Sequence, residues 1–263
     1  MNISVLSYSF RGLLKAGVMD IFGYLETCKY RYHLQAADLW SGFFVSEDED
    51  YVLKIKEALD EREMELADIA LDGAHLWEPD PDVREQHYQR AKTYLKIAEV
   101  LGARFVRIDA GGSRDAETWS DEEFDFIASR YREYAQWAYN HGFKIGLENH
   151  WGPEKRWSNL KLMYEAVNHP GFGVSCHLGS WAGPEEEQAQ ADVLVAPWVS
   201  HTHIAWYICQ GPLMEKLSNL WKVDYDGYYS VEHHSAEDEY AEVGIQIAKV
   251  RDTLHKLRQG KTE

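Results

Sequence analysis

The chain has 263 residues, of which 45% are hydrophobic and 27% are charged, a balance that is ordinary for a soluble globular protein. This length suits one large domain or two small ones, and a single α/β barrel typically has about 250 residues. The formal net charge of −17 disfavours nucleic acid and anionic membranes as partners, because so negative a surface repels phosphate groups.

The amino-terminal segment and the cysteines both favour a cytoplasmic location. Residues 1–5 lack the basic segment and long apolar stretch of a secretory signal, and no apolar run approaches the roughly 18 residues that cross a bilayer. The cysteines give neither a C-x-x-C pair nor a disulfide framework, so we expect small buried apolar side chains at Cys28, Cys176 and Cys209.

Short apolar runs alternate with longer amphipathic segments along the whole chain. The runs are bounded by turn-forming residues and are short enough to be strands rather than helices. They predict eight strands: Ile3–Tyr8, His33–Trp40, Asp68–His75, Phe105–Asp109, Lys144–Asn149, Phe172–His177, Val199–Ile204 and Gly227–Glu232.

Three of the segments between the strands are clearly helical in pattern. We predict helices at Pro81–Leu101, Asp121–His141 and about Ala236–Leu257. The second of these repeats apolar residues every three to four positions and follows Ser120 with three acidic residues, which is a capping-box pattern. Gly142 is typical of the position just after a helix.

The alternation of strands and helices predicts a parallel sheet. Eight units at roughly 33 residues each are close to what a (β/α)₈ TIM barrel needs, so we expect residues 1–263 to form a single TIM-barrel domain. An open doubly wound sheet is the main alternative. It would place a glycine-rich phosphate loop after the first strand, and the segment Tyr8-Ser9-Phe10-Arg11-Gly12 is not such a loop.

Four predicted strands end in residues that can bind a metal ion. These are Glu148, His177, His203 and Glu232, which follow one another at intervals of 29, 26 and 29 residues, about one strand-helix unit each. Active sites of such barrels lie at the carboxyl ends of the strands, so the four side chains should share one mouth. Two Glu and two His suit a divalent ion such as Zn²⁺, Mn²⁺ or Co²⁺, although a structural ion-pair network is the alternative. His201 faces the same side as His203 and could orient a ligand.

Other residues near strand ends are candidates for substrate binding. His75, Arg107 and His150 could bind hydroxyl groups or a carboxylate, and for each of them a structural role is equally compatible with the pattern. Trp40 and Trp181 offer apolar faces on which a sugar ring could stack, with loop packing as the alternative.

Several segments resemble the xylose-isomerase-like family of sugar isomerases and epimerases. The best matches are Gly146-Leu147-Glu148-Asn149-His150-Trp151-Gly152, His201-Thr202-His203 and Asp226-Gly227-Tyr228-Tyr229-Ser230-Val231-Glu232. Weaker matches are Ala37-Asp38-Leu39-Trp40 and Val106-Arg107-Ile108. The resemblance extends over nearly the whole chain, and its motifs specify the superfamily better than they specify a substrate.

The resemblance implies a divalent cofactor (Mn²⁺, Zn²⁺, Co²⁺ or Mg²⁺) held by residues of strands five to eight. The family usually supplies Glu, Asp, His and Glu, and the matching positions here are Glu148, His203 and Glu232. Where the family has an Asp-x-Gly-Asn pattern, this chain reads His177-Leu178-Gly179-Ser180. His177 then serves as a neutral fourth ligand, or the metal is weakly bound or absent.

The activity that the resemblance implies is proton transfer through an enediolate, by a metal-dependent isomerase or epimerase of a sugar or related polyhydroxy carbonyl compound. Glu148 and Glu232 would be the base and the acid. The alternatives are a lyase or dehydratase on the same scaffold and a non-catalytic binding barrel with a degraded metal site. A DNA-repair nuclease of the same superfamily conflicts with the net charge. The expected partner is a small-molecule substrate, and a homo-oligomer is possible because family members often associate.

Overall fold

The predicted barrel is confirmed by a computed structural model that describes residues 1–260. Its eight strands are all parallel and pair in the order β1-β8-β7-β6-β5-β4-β3-β2, and a bridge between Leu6 and Asp38 brings the two outer strands together. The sheet is therefore a nearly closed barrel. The strands are β1 (Ile3–Val5), β2 (Ala36–Trp40), β3 (Glu65–Leu71), β4 (Phe105–Ile108), β5 (Lys144–Glu148), β6 (Phe172–His177), β7 (Val199–Ala205) and β8 (Tyr229–Glu232).

Helices surround the strands, and the three predicted ones are present. Ser120 and Glu123 form the predicted capping box, and Gly102 ends its helix in the left-handed conformation with φ of 70°. Among the described residues the helices are α1 (Arg11–Lys15), α2 (Ile21–Glu26), α3 (Glu49–Glu61), α4 (Pro81–Leu101), α5 (Asp121–Asn140), α6 (Trp157–Val167), α7 (Glu185–Val195), α8 (Trp206–Gln210), α9 (Leu213–Trp221) and α10 (Glu239–Arg258). None of them is long and apolar enough to cross a membrane.

The third strand differs from its predicted bounds at both ends. The prediction Asp68–His75 is wrong because β3 begins at Glu65 and ends at Leu71, just before Gly73 adopts a left-handed φ of 68° that extended backbone does not allow. Asp68 therefore lies in the middle of the strand, and His75 lies in the loop that follows it. The first strand is also shorter than predicted, because residues 7–10 form a 3₁₀ helix.

The apolar core lies between the strands and the ring of helices. Outward-facing residues of successive strands, such as Leu147, Val174, Ile204 and Val231, are fully buried there. The cysteines are free and buried, as predicted. Because side chains alternate along a strand, every second residue faces the inside of the barrel instead.

The inside of the barrel is arranged in layers that become more polar toward the carboxyl ends of the strands. Near the amino end, the ring of Phe105 lies against the backbone of two glycines that pair in register, Gly146 on β5 and Gly173 on β6. The ring of His201 stacks on Phe105 with 6.2 Å between centroids. The glycines leave the room that this aromatic ring occupies.

The close approach of β5 and β6 generates the first prediction. A Cβ added at Gly146 would lie 1.8 Å from the carbonyl oxygen of Gly173 and 3.0 Å from the ring of Phe105. Gly146→Ala should therefore lower the free energy of unfolding by about 1–3 kcal/mol or more, measured by urea denaturation. The control is Gly23→Ala in α2, where the added Cβ meets nothing closer than 3.5 Å and the change should be neutral or stabilising by up to about 1 kcal/mol. Equal stabilities of the two variants would contradict this packing.

Candidate active site

Four polar side chains meet at the carboxyl end of the barrel, on four consecutive strands. Glu148, His177 and Glu232 end β5, β6 and β8, and His203 lies two residues before the end of β7. The register pairs His177 with His203, which places both imidazoles at one depth. All four predicted ligand positions are thus brought together, and each side chain is at least nine-tenths buried.

The distances within this cluster are short. The Nδ1 of His203 lies 2.6 Å from Oε1 of Glu148 and 3.8 Å from Oε2 of Glu232. The Nδ1 of His177 lies 3.5 Å from the same Glu148 oxygen and 3.7 Å from the same Glu232 oxygen. Two carboxylate oxygens and two imidazole nitrogens therefore lie close together. We call the four residues Glu148, His177, His203 and Glu232 the strand-end cluster.

Opposite charges hold the strand-end cluster ionised although it is buried. Burial disfavours the charged form of Glu148, but the charge of His203 and hydrogen bonds from both imidazoles lower its pKa well below the usual value. Burial acts in the same way on Glu232, yet a hydrogen bond from His234 and the neighbouring imidazole charges lower its pKa to about 2. Burial would lower the pKa of His203, but Glu148 raises it to about 10.

Arg107 on β4 is the cationic neighbour of the cluster. Its Nη1 donates to Asp109 Oδ2 at 2.8 Å and to Asp72 Oδ1 at 3.1 Å, and its Nε lies 3.3 Å from Oε2 of Glu148. Burial acts against its charge, but the three carboxylates raise its pKa well above the usual value. The predicted candidate Arg107 therefore lies beside the cluster, where it neutralises carboxylates.

The predicted candidate His150 contacts the same network from the solvent side. Its Nδ1 lies 3.1 Å from Asp109 Oδ2, and its side chain is 44% exposed. Burial of the remainder lowers the pKa of His150, but the charge of Asp109 raises it to about 9. His150 is thus a cation at the mouth of the barrel near neutral pH.

The other three predicted substrate-binding residues have different surroundings. His75 lies at the edge of the mouth, with its ring 4.9 Å from that of Trp151. The indole N–H of Trp40 donates to Asp72 Oδ2 at 2.6 Å while the side chain remains partly exposed. Trp181 is buried, and its indole N–H donates to Asp192.

A deeper polar layer lies beneath the strand-end cluster. Asp38 accepts hydrogen bonds from Ser4 and Ser230, and its Oδ2 lies 3.4 Å from Nε2 of His201. His201 thus pairs with Asp38, and its ring meets that of His203 edge to face. This layer separates the strand-end cluster from the ring of Phe105 near the amino end of the barrel.

Asp68 is the most unusual residue of this layer. It is fully buried, and neither of its oxygens has a hydrogen-bond partner. Its Oδ2 lies 3.8 Å from Nε2 of His203, which is also buried and without a partner. Burial raises the pKa of Asp68 to about 6 despite the charges of the nearby imidazoles. A buried carboxylate without hydrogen bonds is rare and requires an explanation.

Sequence reasoning missed three residues of the site: Asp68, Asp109 and His234. His234 lies at the mouth with its ring parallel to that of His177, and its Nε2 is 3.1 Å from Oε1 of Glu232. Asp109 follows the end of β4, so the rule that identified Glu148 could also have identified it. Asp68 had no such signal, because its strand was predicted three residues too late.

Comparison with known proteins adds a family and a set of structures. The family model described as "Xylose isomerase-like TIM barrel" matches residues 32–253. No curated protein matches the chain at a significant level.

Several solved structures share the fold over nearly the full length. A xylose isomerase-like TIM barrel protein from Mycobacterium smegmatis in complex with magnesium has 13% identity and a TM-score of 0.76, with 98% of this chain and 97% of that one covered. A D-psicose 3-epimerase in the presence of D-fructose has 12% identity, a TM-score of 0.73 and 98% coverage of both chains. The probable 3-DHS dehydratase AsbF from Bacillus anthracis has 14% identity and a TM-score of 0.66, with 95% of this chain and 98% of that one covered. At these identities the likeness shows the fold alone.

The network around Arg107 generates the second prediction. Arg107→Met keeps roughly the same volume but removes one of the two cations beside each of the buried carboxylates of Asp109 and Glu148. The free energy of unfolding should fall by about 3–5 kcal/mol, as it does when one partner of a buried pair is removed. Urea denaturation of the purified variant measures this.

The matched control is Arg104→Met. Arg104 lies three residues before Arg107, immediately before β4. Arg104 pairs with Glu65 at 2.6 Å, but its side chain is 59% exposed. An exposed pair contributes at most about 1 kcal/mol, so this variant should unfold close to the parent. If both variants lose the same stability, the pairing of Arg107 with the buried carboxylates is not what stabilises the mouth.

Proposed function

We propose that this chain, which belongs to the xylose isomerase-like TIM barrel family, is a metal-dependent isomerase or epimerase of a sugar or related polyhydroxy carbonyl compound. The observation that carries the proposal is the convergence of Glu148, His203 and Glu232 at one buried point, with His177 beside the same two carboxylates. The fold that the chain shares with a D-psicose 3-epimerase is compatible with that reaction class.

The strand-end cluster fits a divalent cation. Two ligand atoms on a tetrahedral ion with bonds of about 2.1 Å are about 3.4 Å apart. The four distances between Glu and His donor atoms range from 2.6 to 3.8 Å, on either side of that value. Oε2 of Glu232 is buried and has no hydrogen-bond donor, which suits an oxygen that binds an ion. Glu148, His203 and Glu232, whose ligand atoms lie within 4.8 Å of one another, would hold it, and His177 beside the two carboxylates would complete the site.

Binding of the proposed ion would displace the proton that joins two of these ligands. Nδ1 of His203 donates to Glu148 over 2.6 Å, and the charge of this pair keeps the imidazole protonated. Metal binding requires the deprotonated nitrogen, so an ion would replace this proton. Two carboxylates and two neutral imidazoles would then balance the charge of a divalent cation.

Asp68 would present His203 to the ion in the correct tautomer. A metal-binding histidine usually donates its second ring N–H to a carboxylate or carbonyl, which fixes the ring and its tautomer. Nε2 of His203 faces Asp68 Oδ2 at 3.8 Å, and both groups lack other partners. With its proton on Nε2, His203 would offer the lone pair of Nδ1. This role accounts for a buried carboxylate that no other donor satisfies.

The chemistry itself would be proton transfer next to a carbonyl group. When bound, the ion would supply Lewis-acid polarisation of the substrate's oxygens. Glu148 and Glu232 have pKa values far below neutrality, so both are carboxylates that can take a proton from carbon. His234, half exposed at 3.1 Å from Glu232, can exchange that proton with solvent.

The mouth offers contacts that suit a polyhydroxylated substrate. Trp40 and Trp151 present partly exposed aromatic faces on which a sugar ring could stack. His75 and His150 lie at the same mouth with ring nitrogens able to bind hydroxyl groups. Trp181 would support the loop after β6 rather than touch the substrate, because its side chain is buried with its indole N–H on Asp192.

A lyase is the second candidate function. Elimination of water needs the same base and, in addition, an acid that protonates the departing hydroxyl group. His150 and His234 are both half exposed at the mouth and could donate that proton. The shared fold with a dehydratase is compatible with this reaction. Incorporation of solvent deuterium without loss of water distinguishes an epimerase from a lyase.

The third prediction concerns Glu148. In a panel of ketohexoses and related sugars in D₂O, Glu148→Gln should reduce deuterium incorporation at carbon at least about 10²-fold, because the general base is lost. Mass spectrometry and NMR follow the label, and circular dichroism checks the fold. Glu165→Gln on the exposed face of α6 is the control and should retain parental turnover.

Retained turnover in Glu148→Gln would reject Glu148 as the base. A His177→Asp variant addresses the metal separately, through elemental analysis of the purified proteins. Metal that the parent holds and Glu232→Gln lacks supports a working site with a neutral fourth ligand. Metal only in His177→Asp would identify the parent as a binding barrel with a degraded site.

The fourth prediction concerns the orientation of His203. Asp68→Asn should weaken Mn²⁺ binding about 10–100-fold, because the second ring nitrogen loses its carboxylate. The free energy of unfolding of the metal-free protein should stay equal or rise, because an unpaired buried carboxylate is removed. Electron paramagnetic resonance of free Mn²⁺ gives the affinity, and urea denaturation gives the stability.

Asp38→Asn is the control from the same layer. Asp38 binds Ser4, Ser230 and His201 but does not face His203, so this change should lower stability and leave Mn²⁺ affinity within a few-fold of the parent. Equal Mn²⁺ affinity in Asp68→Asn and the parent would rule out the orienting role.

A further inference from the structure

A second group of metal-binding side chains lies at the rim of the barrel, outside the strand-end cluster. His75 and Glu78 lie in the loop between β3 and α4, and His87 lies in the second turn of α4. We call these three residues the rim cluster. Their side chains are 20%, 27% and 19% exposed, so they are held in place but reachable from solvent.

The geometry of the rim cluster places one carboxylate between two imidazoles. Oε1 of Glu78 lies 2.9 Å from Nδ1 of His75 and 4.0 Å from Nδ1 of His87. Each residue offers a ligand atom within 4.8 Å of those of the other two. Ligand atoms about 2.1 Å from one tetrahedral ion are about 3.4 Å apart, so the 2.9 Å between Glu78 and His75 differs by about 0.5 Å from the spacing of two ligands on one ion. Glu78 is the least buried of the three and can adjust its oxygen between the rings.

We propose that His75, Glu78 and His87 form a second divalent-metal site, of the type that takes Zn²⁺ or Co²⁺. Two imidazoles and one carboxylate are ligands that favour these ions over Mg²⁺ or Ca²⁺, which require oxygen atoms. Three protein ligands leave a fourth position for water or an anion, as in catalytic rather than structural zinc sites.

The backbone around the rim cluster holds the ligands rigidly. His87 stands on a helix of 21 residues, and its Nδ1 is 3.2 Å from the carbonyl oxygen of His75. An N–H at Nδ1 donates to that carbonyl and ties the loop to α4, which leaves Nε2 of His87 as the nitrogen that can bind an ion. The two imidazole rings meet edge to face, with 5.6 Å between centroids. Such pre-organisation lowers the entropic cost of collecting three ligands on one ion.

Open space on both sides gives an ion access. His75 lines a cavity of about 180 Å³ whose other walls include Arg84 and Arg130. His87 lines an open groove of about 480 Å³ beside Trp40. Both guanidinium groups stack on aromatic rings within 4.3 Å of the ring centroid, so they face the cavity from fixed positions. An anion bound at the open coordination position of the ion would therefore lie on the side of the Arg84 and Arg130 guanidinium groups.

The rim cluster shares no residue with the strand-end cluster, and the variants that test it, at Glu78 and His87, change no residue that the proposed function uses. Without a metal, the rim cluster is a hydrogen bond between His75 and Glu78 within the loop, with His87 of α4 beside it. A looser His–Glu ion pair occurs elsewhere: Nε2 of His141 lies 3.8 Å from Glu99 Oε1, and no second imidazole joins it in the metal-capable groups of residues 1–260. That pair supplies the matched control.

The fifth prediction is a change in zinc stoichiometry. The metal-free protein is titrated with Zn²⁺ against a chromophoric chelator, and with Co²⁺ while its visible absorption is recorded. One equivalent should be lost in both His87→Gln and Glu78→Gln, and the Co²⁺ band intensity should fall with it. The same equivalent should remain in His141→Gln and in Glu232→Gln, which disables only the strand-end cluster.

The Glu232→Gln variant separates the two proposals. A parent that binds one equivalent, lost in His87→Gln but retained in Glu232→Gln, supports the rim site and counts against the metal of the proposed function. If every equivalent that the parent binds persists in both His87→Gln and Glu78→Gln, the rim site is overturned. Circular dichroism and the melting temperature establish that each variant is folded, and Glu78→Gln decides alone if His87→Gln is not.

Discussion

The architecture of the mouth depends on keeping the carboxylate of Glu148 ionised in a place that water does not reach. One of its oxygens accepts from His203 at 2.6 Å, and the other lies 3.3 Å from the guanidinium of Arg107. An isolated carboxylate at this depth would take up a proton, so these two cations are a condition for the charge. Arg107 is in turn anchored by Asp109, and His203 faces the carboxylate of Asp68 at 3.8 Å. The polar interior is therefore one connected network.

This network also dictates the packing below it. Because the upper half of the barrel is filled with charged groups, the apolar filling of the interior is confined to the amino end, where Phe105 lies against Gly146 and Gly173. The usual barrel fills its interior with branched apolar residues. Here most buried apolar side chains lie instead between the strands and the helices. The interior can therefore hold the polar side chains of the site.

Local patterns in the sequence were sufficient to predict the barrel and its mouth. The rule that catalytic groups follow strand ends is local, and it gathered Glu148, His177, His203 and Glu232 without any knowledge of pairing. It failed at Asp68, because the register of β3 is decided by its neighbours β2 and β4 and by the left-handed turn at Gly73.

Such local rules could not predict which side chains pair with each other across the barrel. The pairing of Arg107 with Glu148 joins residues 41 positions apart, in different strand-helix units. Trp181 illustrates the same point, since its position after a strand end suggested a stacking surface, whereas Asp192 from the following helix binds its N–H. Sequence patterns predict which face of a strand a side chain points to. Which partner it contacts on that face is decided by the tertiary structure.

On the proposed assignment, the histidine at position 177 changes the balance between holding the ion and stabilising the reaction. An aspartate there would add a negative charge close to Glu148 and Glu232, whose oxygens lie 3.5 and 3.7 Å from the nitrogen of His177. Two unit charges 4 Å apart interact by about 4 kcal/mol at an effective dielectric of 20. A neutral imidazole lacks that attraction for a cation. It also does not repel the substrate when the substrate becomes an anion. On that assignment, His177 would weaken metal binding and also ease proton removal from carbon, so a weaker metal site would not in itself be a degraded one.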